Sequence, residues 1–174
     1  MFTVGHSTRS KAEFLRLLEA HQIQVLVDVR RLPGSRRFPQ FNSDRLERSL
    51  QKQGIRYLYF PDLGGRRPAK KTSKNLGWRV PAFRGYADYM ETAPFKKSLE
   101  RLIRLAKKKR VAVMCAEAVP WRCHRRLIAD AVVARGLSVF DIMTATRAVR
   151  HELPPWARLS SRRLSYPGTS LKRT

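Results

Sequence analysis

The chain of 174 residues carries a formal net charge of +24, and 43% of its residues are apolar. This apolar share supplies a hydrophobic core, so the composition excludes a wholly disordered chain, and the length suits one domain. A charge this large repels itself in the folded state, and a polyanionic partner is the usual compensation. We therefore expect nucleic acid or another phosphate-bearing ligand as the partner; a generally basic proteome would be the alternative explanation.

The sequence contains no apolar run near the ~20 residues that a membrane helix needs, so we expect no membrane partner. No charged stretch followed by an apolar one precedes the first strand-like residues, so we expect no signal peptide. Two cysteines without a secretory signal favour free thiols in a reducing compartment. The predicted location is therefore the cytoplasm.

Strand-like and helix-like segments alternate along the chain. The strand-like segments are short apolar runs at residues 2–5, 23–29, 55–60, 111–114 and 137–142. Segments between them carry apolar residues at the spacings of three and four that mark one buried face of a helix. The alternation predicts an α/β domain over residues 1–148, with a mainly parallel five-stranded sheet and helices on both faces. Residues 149–174 lose the pattern and are predicted to form a basic C-terminal extension.

Capping and breaking residues set the predicted helix boundaries. The expected caps of the first two helices are Ser7, Thr8 or Ser10, and then Asn42 or Ser43. A third helix is expected from about Ala87, with Pro94 dividing it. Residues 66–79 form a long polar stretch before it, which is expected to be functional or disordered. Pro120 suits the first position of the helix after the fourth strand.

Polar residues follow the ends of the predicted strands. The carboxyl ends of parallel strands lie along one edge of the sheet, and open α/β sheets bind ligands outside that edge. We therefore expect these residues to lie together. The candidates with acid, base or thiol groups are His6, Asp28, Cys115, Glu117 and Cys123. The candidates for substrate binding are Ser7, Thr8, Arg30, Arg84, Tyr86, Arg122, His124 and Arg125.

Both cysteines of the chain lie in the turn after the fourth strand. Cys115 is expected at the strand end, where a nucleophile is well presented. Cys123 is expected in the first turn of the next helix, where the helix dipole and nearby Arg122 and Arg125 would lower its pKa and attract anions. A small buried packing role is the alternative for Cys123. The spacing argues against a cysteine phosphatase, because Trp121 stands where that motif requires an arginine.

A base oriented by an acid beside a thiol is the general pattern of nucleophilic catalysis, and His6, Asp28 and Cys115 are candidates for it. Proton transfer is assigned to His6, Asp28 and Glu117, and phosphate binding to the arginines. His6 as a hydrogen-bonded structural residue is an alternative, as is Asp28 as an acceptor for backbone N–H groups. Glu117 is either an acid–base group or a partner for Arg30.

We predict no cofactor and keep zinc as the alternative. Cys115, Cys123, His124 and His6 together offer up to four soft ligands, which would suit zinc, although their spacing is no recognised finger pattern. The leading hypothesis is a cytosolic enzyme that acts on a nucleotide or nucleic acid through the Cys/His/Glu site. The alternative is a non-catalytic nucleic-acid-binding module with a structural Cys/His cluster. A zinc-dependent hydrolase is a third hypothesis.

Several motifs are similar to those of one known family. They are Val-Gly-His-Ser-Thr at 4–8, Leu-Val-Asp-Val-Arg at 26–30, Leu-Gly-Gly at 63–65, Phe-Arg-Gly-Tyr-Ala-Asp-Tyr-Met at 83–90 and Cys-Ala-Glu-x-x-Pro-x-x-Cys-His-Arg at 115–125. With them the chain resembles the domain of unknown function family 488 over about residues 3–145. The resemblance implies a single α/β domain with a shared Cys/His/Glu cluster, and it implies no particular reaction.

Overall fold

A mainly parallel sheet of six strands forms the centre of the molecule within the residues that the computed structural model describes, 1–161 and 163–168. The strands are β1 (Phe2–Gly5), β2 (Val25–Asp28), β3 (Arg56–Tyr59), β4 (Val111–Cys115), β5 (Phe140–Ile142) and β6 (Ala148–Arg150). Their order is β3-β2-β4-β1-β5-β6, and β6 pairs antiparallel to β5. The predicted single α/β domain is confirmed, with β6 as a strand beyond the five predicted.

Helices cover both faces of the sheet. They are α1 (Lys11–Ala20), α2 (Ser43–Gln51), α3 (Pro81–Tyr89), α4 (Ala93–Ala106) and α5 (Arg125–Val133). On one face Phe14 of α1 and Met114 of β4 share a buried cluster, and on the other Leu127 of α5 does so with Val113. Adjacent residues of a strand point to opposite faces, so β4 contributes to both clusters. Full burial of each such side chain contributes about 1.5–3 kcal/mol.

The first two helices begin where the capping residues predict. Ser10 Oγ accepts a hydrogen bond from the Glu13 N–H at 3.2 Å, and the Glu13 carboxylate accepts one from the Ser10 N–H at 2.7 Å. This capping box selects Ser10 among the three predicted caps, and such a cap contributes about 1 kcal/mol. Asn42 occupies the cap position of α2, but its side-chain oxygen accepts from the Ser35 N–H instead.

The third predicted helix begins earlier than expected. α3 starts at Pro81, so the expected start near Ala87 is wrong. Gly85 lies inside the helix because the chain packs tightly there: a Cβ on Gly85 would lie 2.1 Å from the carbonyl oxygen of Arg67. The predicted division at Pro94 is confirmed, since Pro94 lies in the first turn of α4.

The turn after β4 also differs from the prediction. Pro120 opens a 3₁₀ helix, Pro120–Arg122, which the Cys123 N–H closes by donating to the Pro120 carbonyl at 3.0 Å. Cys123 is extended, with φ −129° and ψ 143°, and α5 begins at Arg125. The expected position of Cys123 in the first helical turn is therefore wrong, although the backbone N–H of Arg125, the first residue of α5, hydrogen-bonds to its sulfur and lowers its pKa.

The long polar stretch before α3 is held by a carboxylate. Asp88 of α3 accepts hydrogen bonds from Ser73 Oγ at 2.6 Å, Asn75 Nδ2 at 2.9 Å and the Lys70 N–H at 3.0 Å. These bonds lower the pKa of Asp88 although burial opposes them. The stretch therefore has a defined conformation over the residues that Asp88 contacts.

The C-terminal segment docks on this loop and on α5. It forms a hairpin of β7 (Arg158–Ser160) and β8 (Arg163–Ser165). Tyr166 then follows, and its buried hydroxyl donates to Asp130 of α5 at 2.7 Å. Of the predicted extension 149–174, residue 162 and residues 169–174 lie outside the described residues. None of the described helices has the length and apolar character needed to cross a bilayer.

Candidate functional site

The carboxyl edge of the sheet opens into a cavity at the end of β4. β4 leads into α5 on one face, whereas its neighbours β1 and β2 lead into α1 and α2 on the other. Connections that diverge in this way leave a crevice at the strand ends, where open α/β proteins bind ligands. The cavity has a volume of about 270 Å³. Its lining includes Arg30, Arg31, Gly65, Arg66, Phe83, Cys115, Glu117, Arg122, Cys123 and His124.

Three soft ligand atoms converge at the floor of this cavity. Cys115 ends β4, and Cys123 and His124 follow the 3₁₀ helix. His124 Nδ1 lies 3.8 Å from each sulfur, and the three atoms all lie within 4.8 Å of one another. Residues on two separate segments thus bring thiol and imidazole groups to one point.

The two thiols share a hydrogen bond that separates their acidities. The bond to Cys123, and then burial, raise the pKa of Cys115. The same bond lowers the pKa of Cys123 to about 7; burial opposes this effect, and the Arg125 guanidinium lowers the pKa by a smaller amount. The pair as a unit therefore loses its first proton near neutral pH, and that charge favours a cation beside both sulfurs.

The His124 ring is held by a glycine and a tyrosine. A Cβ on Gly65 would lie 2.7 Å from His124 Nδ1, so only a glycine leaves room for the ring. The Tyr86 ring lies 5.1 Å away between centroids, and its hydroxyl donates to the Leu63 carbonyl at 2.7 Å. His124 Nε2 is buried and has no hydrogen-bond partner among the described residues. The ring is thus fixed by packing, with Nδ1 toward the sulfurs.

A buried arginine holds the loop that carries Glu117 in place. Arg125 is fully buried, and its guanidinium donates to the carbonyl of Glu117 and, at 2.8 Å, to that of Ala118. Gly5 at the end of β1 lets this loop pass, because a Cβ there would lie 1.7 Å from the Glu117 carbonyl oxygen. The Glu117 side chain is exposed and lines the cavity. Arg125, predicted to bind substrate, is placed beneath the loop instead.

The chain matches the family described as Domain of unknown function DUF488 over residues 10–132. The chain belongs to the DUF488 family. The matched range contains Asp28, Arg30 and the whole turn from Cys115 to His124, and His6 precedes it. Comparison with curated proteins and with solved structures found no match.

In this DUF488 chain, two of the predicted proton-transfer residues, Asp28 and His6, contact Arg30 beside the cavity. The Arg30 guanidinium donates to both oxygens of buried Asp28, at 2.9 and 2.6 Å, and Tyr57 OH donates to the same carboxylate. His6 Nε2 accepts from Arg30 at 3.4 Å, and Nδ1 donates to the Ser7 carbonyl. Burial lowers the pKa of His6 to about 4, so the ring is neutral at pH 7. His6 is thus hydrogen-bonded on both ring nitrogens, and Asp28 also accepts from the backbone N–H of Arg30 at 3.0 Å.

The remaining predicted residues of the DUF488 chain divide by position. Arg122 is exposed and lines the cavity. Arg84 donates to the Trp78 carbonyl at 3.2 Å, and Tyr86 is fully buried beneath His124. Ser7 and Thr8 follow β1 and lie outside the residues that line the described cavity.

A second buried polar cluster, which is centred on His151, was not predicted from the sequence. His151 lies between Asp130 and Asp141, and its ring nitrogens contact their carboxylates at 2.7 and 3.0 Å. The available signal was Asp130, which interrupts the otherwise apolar run from Leu127 to Val132. An acid on the buried face of a helix predicts a buried partner, but the distant His151 has no periodicity that would reveal it.

Proposed function

We propose that this DUF488 protein hydrolyses a phosphoester in a nucleotide or nucleic acid, using a metal ion held by Cys115, Cys123 and His124. The convergence of these three ligand atoms at a cavity floor carries the proposal. A tetrahedral zinc ion at its usual Zn–S and Zn–N lengths holds such atoms about 3.5–3.8 Å apart, which fits the 3.8 Å between His124 Nδ1 and each sulfur. Three protein ligands leave a fourth position for water or substrate.

The charges around the cavity support an anionic substrate. Asp28 neutralises Arg30, but Arg31, Arg66 and Arg122 also line the cavity. Guanidinium groups bind phosphate oxygens in pairs, so these three side chains suit a phosphoester. The net charge of +24 adds long-range attraction for nucleic acid.

Each residue has a defined role in the proposed reaction. A zinc ion at this site would lower the pKa of a bound water toward neutrality. Glu117, which lines the cavity, would accept the proton that an attacking water loses as its oxygen bonds to phosphorus. The bond from phosphorus to the leaving oxygen breaks, and Glu117 returns the proton to that oxygen. Arg66 and Arg122 hold the non-bridging oxygens in position.

The first experiment measures metal content and thiol reactivity of the purified full-length protein. One zinc per chain, with thiols that react only after chelation, supports the proposal. Absence of metal together with one fast-reacting thiol overturns it. That second result would favour nucleophilic chemistry at Cys123, whose lowered pKa already favours the thiolate.

A variant pair then separates catalysis from metal binding. Glu117→Gln should reduce phosphoester hydrolysis about 10²–10⁴-fold with zinc content unchanged, because it removes only the proton acceptor. Glu47→Gln, at an exposed residue of α2, is the matched control and should leave the rate unchanged. Full activity in Glu117→Gln would exclude the role of Glu117.

A non-catalytic nucleic-acid-binding module with a structural zinc is the second candidate. Burial favours it, since Cys123 is 1% exposed and Cys115 is 7% exposed, as in closed structural sites. Under this alternative, Cys115→Ser would unfold the domain, and the zinc-loaded protein would bind nucleic acid without hydrolysing it. In both cases binding should weaken steeply with salt, and binding that ignores salt would exclude a phosphate-backbone partner.

A further inference from the structure

A second cavity of about 690 Å³ adjoins the candidate site. Phe83 of α3 lines both cavities. The second cavity is otherwise formed by the end of the long polar loop and by the C-terminal segment. Its main walls are Leu76, Trp78, Val80 and Trp156.

The walls of this second cavity are apolar and aromatic, in contrast to the cationic site beside it. Leu76 is 56% exposed and Val80 is 51% exposed, which is unusual for large aliphatic side chains on a soluble surface. The ring of Trp156 lies against Gly77, where a Cβ would be 2.6 Å from Trp156 Cδ1. Arg79 is a cation at its rim. Such a surface suits a flat ring that carries its charge at one end.

The second cavity is also held in shape. The Gly77 N–H donates to the Tyr166 carbonyl at 2.9 Å, and the Tyr166 N–H donates to Asn75 Oδ1 at 3.1 Å. Trp78 packs edge-on against Trp156 and Tyr166, with centroids 5.5 and 5.2 Å away. A wall fixed in this way loses little conformational entropy when a ligand binds.

We propose that this aromatic cavity binds the heteroaromatic base of a nucleotide whose phosphate lies among the arginines of the candidate site. The inference rests on the proposed function and names its substrate class. A nucleotide joins a flat base to a phosphate through one ribose, and here one side chain, Phe83, joins an aromatic cavity to a cationic one. Bases stack on aromatic and aliphatic surfaces without regard to sequence, so the cavity accepts several bases.

Tryptophan fluorescence offers a direct test in the full-length chain. The chain has three tryptophans, and Trp121 is exposed outside this cavity, so a Trp121→Phe background reports on Trp78 and Trp156. The ligands are adenosine 5′-monophosphate and ribose 5-phosphate, which lacks the base. We expect the nucleotide to quench fluorescence and to bind at least about tenfold more tightly than the sugar phosphate.

Substitutions at the exposed aliphatic residues of the second cavity test whether the base binds there. Leu76→Ala and Val80→Asn should each weaken nucleotide binding about three- to tenfold and leave ribose 5-phosphate binding unchanged. Val80 is the cap residue of α3 and makes no side-chain capping bond, so asparagine there supports the helix. Leu159→Ala, at a leucine 51% exposed in β7, is the matched control.

Equal affinity for the two ligands, or equal loss of both in the variants, overturns the base site. Concentration-dependent self-association that disappears in Leu76→Ala also overturns it, because the apolar face would then bind a second copy. Base-selective binding without hydrolysis would reject the proposed reaction and keep the base site. Failure of both ligands to bind rejects the base site and the phosphate-bearing substrate together.

Discussion

Two histidines near α5, the half-buried His124 and the buried His151, have opposite surroundings. Both ring nitrogens of His151 contact carboxylates, whereas His124 has Nδ1 3.8 Å from two sulfurs and Nε2 without a partner among the described residues. A buried polar group without a partner costs about 1–3 kcal/mol, so a purely structural histidine is normally paired. The His151 cluster is thus fully paired within the described part of the protein, whereas Cys115, Cys123 and His124 form a group that could hold a metal ion.

The His151 cluster belongs to a larger network of buried hydrogen bonds. Asp141 accepts from Thr3 of β1, and Thr3 in turn accepts from Arg125 at 3.3 Å. Asp130, at the other end, accepts from Tyr166. The network therefore connects β1, β5, α5 and the C-terminal segment, and through Arg125 it supports the loop that carries Glu117.

The largest change in the free energy of unfolding is expected from breaking the His151 cluster. Asp130→Ala leaves the His151 ring and the Tyr166 hydroxyl buried without their acceptor, and should lower the free energy of unfolding by about 3–5 kcal/mol. Asp44→Ala, at an exposed residue of α2, should change it by less than about 0.5 kcal/mol. Urea unfolding measures both, and equal small changes would refute a structural role for the cluster.

Zinc binding at the His124 cluster should stabilise the folded protein. Excess zinc at 100 to 1,000 times its dissociation constant should raise the free energy of unfolding by about 2.7–4.1 kcal/mol, because only the folded chain presents the three ligands together. Cys115→Ser should abolish this gain, whereas Asp130→Ala should retain it. Thermal melts with and without zinc give the comparison, and a gain that survives Cys115→Ser would place the ion elsewhere.

The pH dependence of stability should report His151. Burial by itself lowers the pKa of His151, but hydrogen bonds to Asp130 and Asp141 outweigh it and raise the pKa to about 9 from 6.5. The raised value means that the contribution is complete below pH 6.5 and disappears as the pH rises through 9. We expect a loss on the order of 2–3 kcal/mol across this window. His151→Gln should flatten the profile, and a wild-type profile without this decline would show that the ring is neutral.

The smallest effect is expected at the end of the network. Tyr166→Phe removes one hydrogen bond to Asp130 and should cost about 1–2 kcal/mol. Tyr59→Phe is the matched control, since its exposed hydroxyl donates to the Arg31 carbonyl, and it should cost about 0.5 kcal/mol or less. Equal free energies of unfolding for the two variants would show that the hydrogen bond from Tyr166 to Asp130 does not tie the C-terminal segment to the network.

Local patterns allowed much of the fold to be predicted. The apolar runs located β1 to β5, and the acid and thiol residues after them led to the edge of the sheet where Cys115, Cys123 and His124 meet. The prediction failed where a distant contact overrides local preference. Gly85 precedes the predicted helix start near Ala87, yet it lies inside α3, where only a glycine fits against the backbone of Arg67.

Side-chain partnerships were the least predictable part of the site. Arg125 follows a sequence of candidate ligands and reads as a phosphate contact, but the structure buries it under the Glu117 loop. His6 reads as a general base, but its neighbours use both of its nitrogens. These roles depend on which side chains meet across β1, β2 and β4, and such pairings leave no periodic trace in the sequence.

The strand order also determines when the domain can assemble during synthesis. β1 is central, and residues 2–5 pair with residues 112–115 on one side and residues 2–3 with residues 140–141 on the other. The ribosome therefore releases β1 long before either neighbour exists, and assembly must wait for most of the chain. Contacts this distant in sequence slow folding and prolong the exposure of an apolar strand. Arg9, Lys11 and Arg16 follow β1 closely, and their mutual repulsion between nascent chains opposes aggregation during that delay.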